Sequence, residues 1–338
     1  MIIVMDRGAD KAQAENIVEI LTKKGFQPVP LFGVERTVIA VIGNERDLSV
    51  SKLESLPGVW KVMPVLQPFK LVSKETQPKP TVITVNDVKI GGDELAIFAG
   101  PCSVESEDQM EKVATELEKI GIKLLRGGAF KPRTGPYAFQ GLGEEGLKIL
   151  EKTAKNHGMT TCTEVLDPRD VELVCKHADI LQIGARNMQN FTLLKEVGQT
   201  KKPVFLKRGM SATIEEWLLA AEYILAGGNP NVILCERGIR TFEQYVRNTL
   251  PIATVPRVKE LSHLPIIVDP SHGTGRPRLI PAMSRAAIAA GADGLMIEVH
   301  PNPSEALSDG GQSFTPDKFT ELLEGLKPIA MAVSRKIA

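Results

Sequence analysis

The chain of 338 residues has no surplus of charge: 41 Lys and Arg stand against 41 Asp and Glu. Nucleic-acid binding rests on excess cations facing phosphate, so the balance speaks against that class. It leaves room for a local basic pocket that holds a small anion. No apolar run approaches the ~18 residues that span a bilayer, so no membrane partner is expected. The N-terminus lacks the basic lead-in and long apolar stretch of a signal peptide. Cysteine is scarce and scattered, at Cys102, Cys162, Cys175 and Cys235, and no CxxC occurs. A disulfide framework, a zinc ribbon and a thioredoxin-type redox site therefore have no support, and reduced thiols in a cytoplasmic protein are expected. What is present is ample apolar content, 43%, which excludes global disorder. The length corresponds to about two domains.

A polar stretch at 73–81 with two prolines and no apolar anchor reads as a linker. Before it, in 1–72, short runs predict strands at 2–5, 27–32, 37–42 and 59–66. Helical spacing predicts helices at 11–24 and 51–56. The prolines at 28 and 30 mark the second strand as an edge. The order β-α-β-β-α-β is the ferredoxin-like split unit. It carries no titratable cluster and no glycine-rich phosphate loop, so a regulatory or structural role is expected.

After the linker, in 82–338, apolar runs alternate with helical stretches. The runs are 95–99, 123–126, 160–165, 180–183, 204–207, 232–235, 266–268 and 294–299. Helices are expected at 107–120, 147–157, 215–225 and 278–290. Eight β-α units in ~255 residues match a (β/α)8 TIM barrel, and an α/β fold of that kind is the expectation. A hairpin, 82–85 and 88–90 around Asn86-Asp87, is expected to cap the bottom. An open doubly wound sheet fits less well, because no GxGxxG follows the first run.

Nearly every run ends in a polar cluster, and in a barrel all such ends meet at the C-terminal face. Arg126, Lys131, Arg133, Arg186, Lys207 and Arg237 would crowd that face. Each could pair with a local acid such as Glu164, Glu236 or Asp269. Six together point to a multiply charged anion, a phosphate or a carboxylate. Cys102, His272, Glu298 and Asp309 lie at tops one, seven and eight, which adjoin on closure. Their S, N and O donors make a plausible site for a divalent transition metal. A buried thiol is the commoner fate of a lone cysteine, and Cys162, Cys175 and Cys235 are read as structural. His157, His177 and His300 are placed outside the metal set, with His300 the nearest alternative.

Five segments, in order and spacing, carry a resemblance. They are Gly100-Pro101-Cys102-Ser103, Lys131-Pro132-Arg133-Thr134, Ile183-Gly184-Ala185-Arg186, Cys235-Glu236-Arg237-Gly238 and Asp269-Pro270-Ser271-His272. With them the chain resembles the 3-deoxy-D-arabino-heptulosonate 7-phosphate (DAHP) synthases of the type I beta subgroup, whose N-terminal ferredoxin-like domain senses an aromatic amino acid. The second segment separates this family from the octulosonate 8-phosphate synthases, which typically carry an Asn-Arg-Ser-Ser type stretch there. The resemblance implies a transferase that joins phosphoenolpyruvate to erythrose 4-phosphate and water, releasing phosphate, at the first step of the shikimate pathway. It implies that Arg126, Lys131, Arg186, Lys207 and Arg237 clamp phosphoenolpyruvate with Gly184 and Ala185 beside them. Arg133 and Thr134 would take the phosphate of erythrose 4-phosphate. Cys102, His272, Glu298 and Asp309 would hold a metal of the Mn, Fe, Co or Zn class, and Asp309 matches least well by motif. Lys131, Cys102 and His272 would be catalytic, and Glu164 is a candidate for activating water by position alone. Tyrosine or phenylalanine is expected as effector, and a homo-oligomer, a tetramer in preference, as the assembly. Three alternative readings stand beside it: an octulosonate 8-phosphate synthase acting on arabinose 5-phosphate, a Schiff-base aldolase with Lys207 or Lys131 as nucleophile, and a sensor with an inert barrel.

Overall fold

The structure, a computed structural model, describes residues 1–33, 35–42, 48–63, 68–133 and 135–337. The backbone divides into two compact units: Met1–Lys79 with Leu261–His263, and Pro80–Glu260 with Leu264–Ala338.

The first unit runs β1 (Ile2–Met5), α1 (Lys11–Lys23), β2 (Gln27–Phe32), β3 (Thr37–Ile42), α2 (Val50–Glu54) and β4 (Val59–Met63). Its antiparallel sheet has the order β2-β3-β1-β4, which is the ferredoxin-like arrangement. The proline-bearing β2 lies at an edge, where a missing backbone donor costs least. Asp10 and Gln13 cap α1 reciprocally, and Ile17 and Leu21 pack from it onto Ile3, Ile39 and Val62 of the sheet. Strand β4 ends at Met63, and the remainder of the expected strand, 64–66, lies outside the described residues. The division between the units falls at Lys79–Pro80, inside the stretch 73–81, but the first residues of that stretch are packed. Ser73 and Thr76 are buried, and Thr76 Oγ1 donates to Lys70 O at 2.6 Å. Polar side chains that fold back onto their own backbone look, in sequence, like a solvated linker.

The second unit opens with the hairpin β5 (Ile83–Val85) and β6 (Val88–Ile90). Eight parallel strands then close into a barrel: β7 (Ala96–Gly100), β8 (Leu124–Arg126), β9 (Thr160–Glu164), β10 (Ile180–Ile183), β11 (Val204–Lys207), β12 (Val232–Glu236), β13 (Ile266–Val268) and β14 (Gly294–Glu298). The helices around it are α3 (Glu107–Lys119), α4 (Glu144–Asn156), α5 (Val171–His177), α6 (Phe191–Gly198), α7 (Ile214–Ala226), α8 (Thr254–Leu261), α9 (Pro270–Thr274), α10 (Ile280–Ala289) and α11 (Pro316–Ala332). Two helix starts differ from the sequence expectation. Helix α4 begins at Glu144, because Gly143 supplies a left-handed turn (φ 61°) and two acids follow it. Helix α10 begins at Ile280, with Pro281 in its first turn and a 3-10 turn before it.

The barrel interior is filled by side chains. Phe98 and Phe205 meet edge to face with centroids 4.9 Å apart. Ile83, Val85 and Ile90 of the hairpin join the same core as Cys162, Ile180, Ile233, Cys235 and Met296. The hairpin and this core fill the N-terminal end of the barrel, and the charged strand ends gather at the C-terminal rim, where the fold places its chemistry. No helix among the described residues is long and apolar enough to cross a membrane.

Candidate active site

The strand ends surround a cavity of about 320 Å³. Arg126 closes β8, Glu164 closes β9 and Lys207 closes β11, while Arg237 follows β12 directly and Arg186 lies three residues beyond β10. Lys131, Arg133, Gly184 and Ala185 also line the cavity. Thr134, named with Arg133 in the sequence, lies outside the described residues.

At one side of the cavity four donors converge. Cys102 follows β7, His272 sits in α9, Glu298 ends β14 and Asp309 lies in the loop beyond it. The strands β7 and β14 pair with Gly100 opposite Glu298, which brings the two ends together. One ligand atom from each residue lies within 4.8 Å of all the others. Cys102 Sγ is 3.4 Å from Asp309 Oδ2, and His272 Nε2 is 3.4 Å from Glu298 Oε1 and 3.8 Å from Asp309 Oδ2. A tetrahedral ion bound at ~2.0–2.3 Å needs donors about 3.3–3.8 Å apart, so this set fits a divalent transition metal. His300, the alternative ligand, faces Glu105 at 3.4 Å instead.

Asp269 orients the imidazole. Its Oδ1 accepts from the His272 backbone N–H at 2.9 Å, and its Oδ2 lies 2.7 Å from Nδ1, which turns Nε2 toward the other donors. Burial lowers the His272 pKa against the pull of Asp269 and Glu298, favouring the neutral ligand form. Burial and the nearby Glu298 carboxylate push the Cys102 thiol up to about 11, and Lys131 pulls the other way. Binding of a cation there is coupled to release of that proton. Lys131 Nζ donates to Cys102 Sγ at 3.1 Å. Burial disfavours the Lys131 ammonium, but Cys102 and Glu164 outweigh it and its pKa is raised.

The six cations divide. Arg126 Nη1 is 3.0 Å from Glu298 Oε1, and Lys207 Nζ is 2.7 Å from Asp269 Oδ2, all four groups buried. Two of the six are thus paired, Lys207 with Asp269 as the local-acid alternative allowed and Arg126 with Glu298, each across the strand that lies between them. Glu236, offered as a partner for cavity cations, is instead 2.6 Å from the buried Arg208. Among the described residues, no acid lies within ion-pair distance of Arg133, Arg186 or Arg237. Arg237 is buried, and desolvation together with the neighbouring Arg247 lowers its pKa. A buried cation without a counter-charge is a seat for an anion. Lys207, locked to Asp269, is poorly suited to act as a free amine nucleophile.

Glu164 is buried at the cavity wall, where its Oε2 accepts from Gln182 Nε2 at 3.1 Å. Its Oε1 lies 2.1 Å from where a β-carbon on Gly184 would stand. The glycine in the fourth strand-end segment thus makes room for this carboxylate. Sequence reasoning missed Arg240, Arg247 and Asn248, which also line the cavity. They lie just beyond Cys235-Glu236-Arg237-Gly238 in a loop with no periodicity. Two further arginines within ten residues of that segment were the available signal.

Comparison with known proteins gives a consistent picture. Residues 72–334 match the model of the DAHP synthetase I family, and residues 1–67 match the DAHP synthase ferredoxin-like domain. A phospho-2-dehydro-3-deoxyheptonate aldolase of Thermotoga maritima is 50% identical over 337 residues, covering 100% of both chains. A 2-dehydro-3-deoxyphosphooctonate aldolase of Syntrophotalea carbinolica is 32% identical over 269 residues, 74% of this chain and 96% of its own. A crystal structure of the Thermotoga maritima DAHP synthase superposes with a TM-score of 0.80 at 50% identity, covering 100% of this chain and 99% of that one. A truncated form of the Thermotoga maritima 3-deoxy-D-arabino-heptulosonate 7-phosphate synthase gives 0.75 at 51% identity, over 80% of this chain and 99% of that one.

Proposed function

The chain belongs to the DAHP synthetase I family and is an enzyme of the DAHP synthase class, and from that premise we propose how its barrel mouth performs the reaction. The substrates are phosphoenolpyruvate, erythrose 4-phosphate and water. The observation that carries the reading is the meeting, in one cavity, of arginines without acid partners and a four-donor metal set. Arg237, Arg186 and Arg126 hold the carboxylate and phosphate of phosphoenolpyruvate, with Lys207 and the Gly184-Ala185 turn beside them. Arg133, with Thr134, takes the phosphate of the acceptor. Two anion seats at fixed separation supply proximity between an aldehyde and a weak carbon nucleophile.

Cys102, His272, Glu298 and Asp309 hold a divalent cation, which when bound supplies Lewis-acid polarisation of the aldehyde oxygen. Carbon 3 of phosphoenolpyruvate attacks the aldehyde carbon, and the oxygen that gains charge takes a proton from the Lys131 ammonium. Water adds at carbon 2 and gives a proton to Glu164. As the C–O bond to phosphate breaks, the carbon 2 hydroxyl gives its proton to the departing phosphate oxygen, leaving a ketone and inorganic phosphate. The raised pKa of Lys131 keeps it protonated at neutral pH, so it gives up its proton only to an acceptor as basic as an alkoxide.

Erythrose 4-phosphate is favoured over arabinose 5-phosphate by the Lys131-Pro132-Arg133-Thr134 segment and by the ferredoxin-like unit. Product analysis by 31P NMR tests this. One inorganic phosphate and one seven-carbon sugar phosphate should form per phosphoenolpyruvate consumed with the four-carbon acceptor. Turnover only with the five-carbon acceptor would move the enzyme to octulosonate synthesis. We assign to residues 1–72 the binding of tyrosine or phenylalanine as feedback inhibitor, to the chain a homo-oligomeric state with four copies, and to the cell's cytoplasm its location. Inhibition that survives deletion of 1–72 would refute the regulatory assignment, and light scattering measures the copy number.

A further inference from the structure

Each carboxylate in the metal set offers one oxygen inward and has the other held from outside. Glu298 Oε1 faces His272 and also accepts from Arg126 Nη1 at 3.0 Å, while its Oε2 accepts from Gln312 Nε2 at 2.5 Å. Asp309 Oδ2 faces Cys102 and His272, while its Oδ1 lies 3.2 Å from Arg247 Nη1. The same Arg247 Nη1 donates to Gln312 Oε1 at 2.6 Å, closing the chain Glu298–Gln312–Arg247–Asp309. The Gln312 amide has one workable orientation. Its oxygen must meet the arginine donor and its NH2 the carboxylate, since the flipped amide would oppose like groups at both ends. Gln312 is buried, so either mismatch would be costly.

Both residues reach these positions by local backbone geometry. Arg247 N–H donates to Thr274 O at 2.9 Å, and Asn248 N–H donates to Gly273 O at 3.2 Å, laying the loop after β12 against the turn that carries His272. Gly275, at φ 66°, permits this approach: a β-carbon there would stand 2.5 Å from Arg247 Cβ. Asp309 itself is left-handed (φ 52°), a conformation that Asp tolerates and that surrounding contacts must hold. Gln312 N–H then donates to Asp309 O at 3.1 Å, tying the clamp residue to the ligand it serves.

We propose that Arg247 and Gln312 are positioning residues that hold Glu298 and Asp309 with one oxygen each turned to the cation and thereby set metal affinity. The proposal rests on the metal reading of the four-donor set. Arg247 also supplies charge: a thiolate and two carboxylates around a divalent ion leave a net negative charge, which its guanidinium offsets beside Arg126 and Lys131. Because Arg247 lines the substrate cavity as well, it joins the anion seat to the metal set through one side chain.

The test is Co2+ binding by the full-length protein, measured by competition with a chromogenic chelator and by the cobalt–thiolate charge-transfer band that reports Cys102. Arg247→Ala and Gln312→Leu are expected to raise the Co2+ Kd about 10–100-fold and to alter the visible bands. Arg247→Lys should recover most of the affinity, because an ammonium can donate to both Asp309 and Gln312. Wild-type Kd and spectrum in folded Arg247→Ala and Gln312→Leu would overturn the clamp while leaving the metal site standing. A wild-type protein that binds no Co2+ would overturn both. Should Gln312→Leu fail to fold, Arg247→Ala carries the test, since its side chain is partly exposed (38%).

Discussion

Replacing Gly184 by Ala adds one carbon next to a buried carboxylate. The new β-carbon would stand 2.1 Å from Glu164 Oε1 and 2.8 Å from its Cδ, where contacts below 3.0 Å essentially do not occur. The carboxylate must therefore retreat by about 3.0 − 2.1 = 0.9 Å at the oxygen. It is not free to do so without loss, because its other oxygen is tied to Gln182 and the residue is only 6% exposed. Overpacking of this kind costs ~1–3 kcal/mol, which for a domain of this size is a fall in Tm of roughly 2–12 °C. If Glu164 takes the proton from water as proposed, a shift near 1 Å should also lower kcat by about 100-fold. Thermal unfolding and phosphate release are the assays, run on Gly184→Ala, Glu164→Ala and the double variant. Removing the carboxylate removes the clash, so in the Glu164→Ala background the extra methyl should cost little, giving a coupling of ~1–3 kcal/mol. An unchanged Tm and kcat in Gly184→Ala, or a Tm loss that persists undiminished in the double variant, would refute this reasoning.

Two further outcomes follow from the site and its surroundings. Arg237→Met removes a buried cation that has no acid partner, so the substrate-free protein should gain about 1 kcal/mol of stability, read as a higher Tm. The same change should cut kcat/KM for phosphoenolpyruvate about 10–100-fold, the worth of a charge-assisted anion contact. On the outer helices, His157 pairs with Glu111 at 2.9 Å and Glu118 at 2.7 Å. Burial acts against protonation there, yet the two carboxylates prevail and raise the pKa above 6.5. A raised imidazole pKa gives stability that is full below pH 6.5 and is lost as pH rises through the folded-state value. Tm of wild type minus Tm of His157→Ala should therefore be larger at pH 6 than at pH 9, and an equal difference at both would count against the ion-pair account.

The barrel was legible because most of its strands are short apolar runs, several with a charged last residue, that alternate regularly with helical stretches. Three of the expected runs, 180–183, 204–207 and 266–268, coincide with the observed strands, and no end of the other five is displaced by more than one residue. The convergence of Cys102, His272, Glu298 and Asp309 was legible for a related reason. Barrel closure forces β7 beside β14, so Cys102 and Glu298 had to be neighbours once eight strands were counted. Asp309 matched least well because no strand carries it. Its place depends on the bridge between Val299 and Phe314, which brings the loop back over the strand end. The pairing of Arg126 with Glu298 and of Lys207 with Asp269 was not legible, because a single sequence does not say which strand-end acid leans toward which cation. Arg247 and Gln312 were invisible for a deeper reason. Their positions follow from backbone hydrogen bonds between a loop and a turn, and such bonds leave no side-chain pattern.

The central claim is that the anion seats and the four-donor set act together at one barrel mouth. Phosphate release from phosphoenolpyruvate and erythrose 4-phosphate, followed before and after stripping the protein with EDTA and again after adding manganese, tests it most directly. The account predicts that stripping abolishes release and that manganese restores it in wild type but not in Cys102→Ala. Full turnover by protein shown by elemental analysis to be free of metal would contradict it.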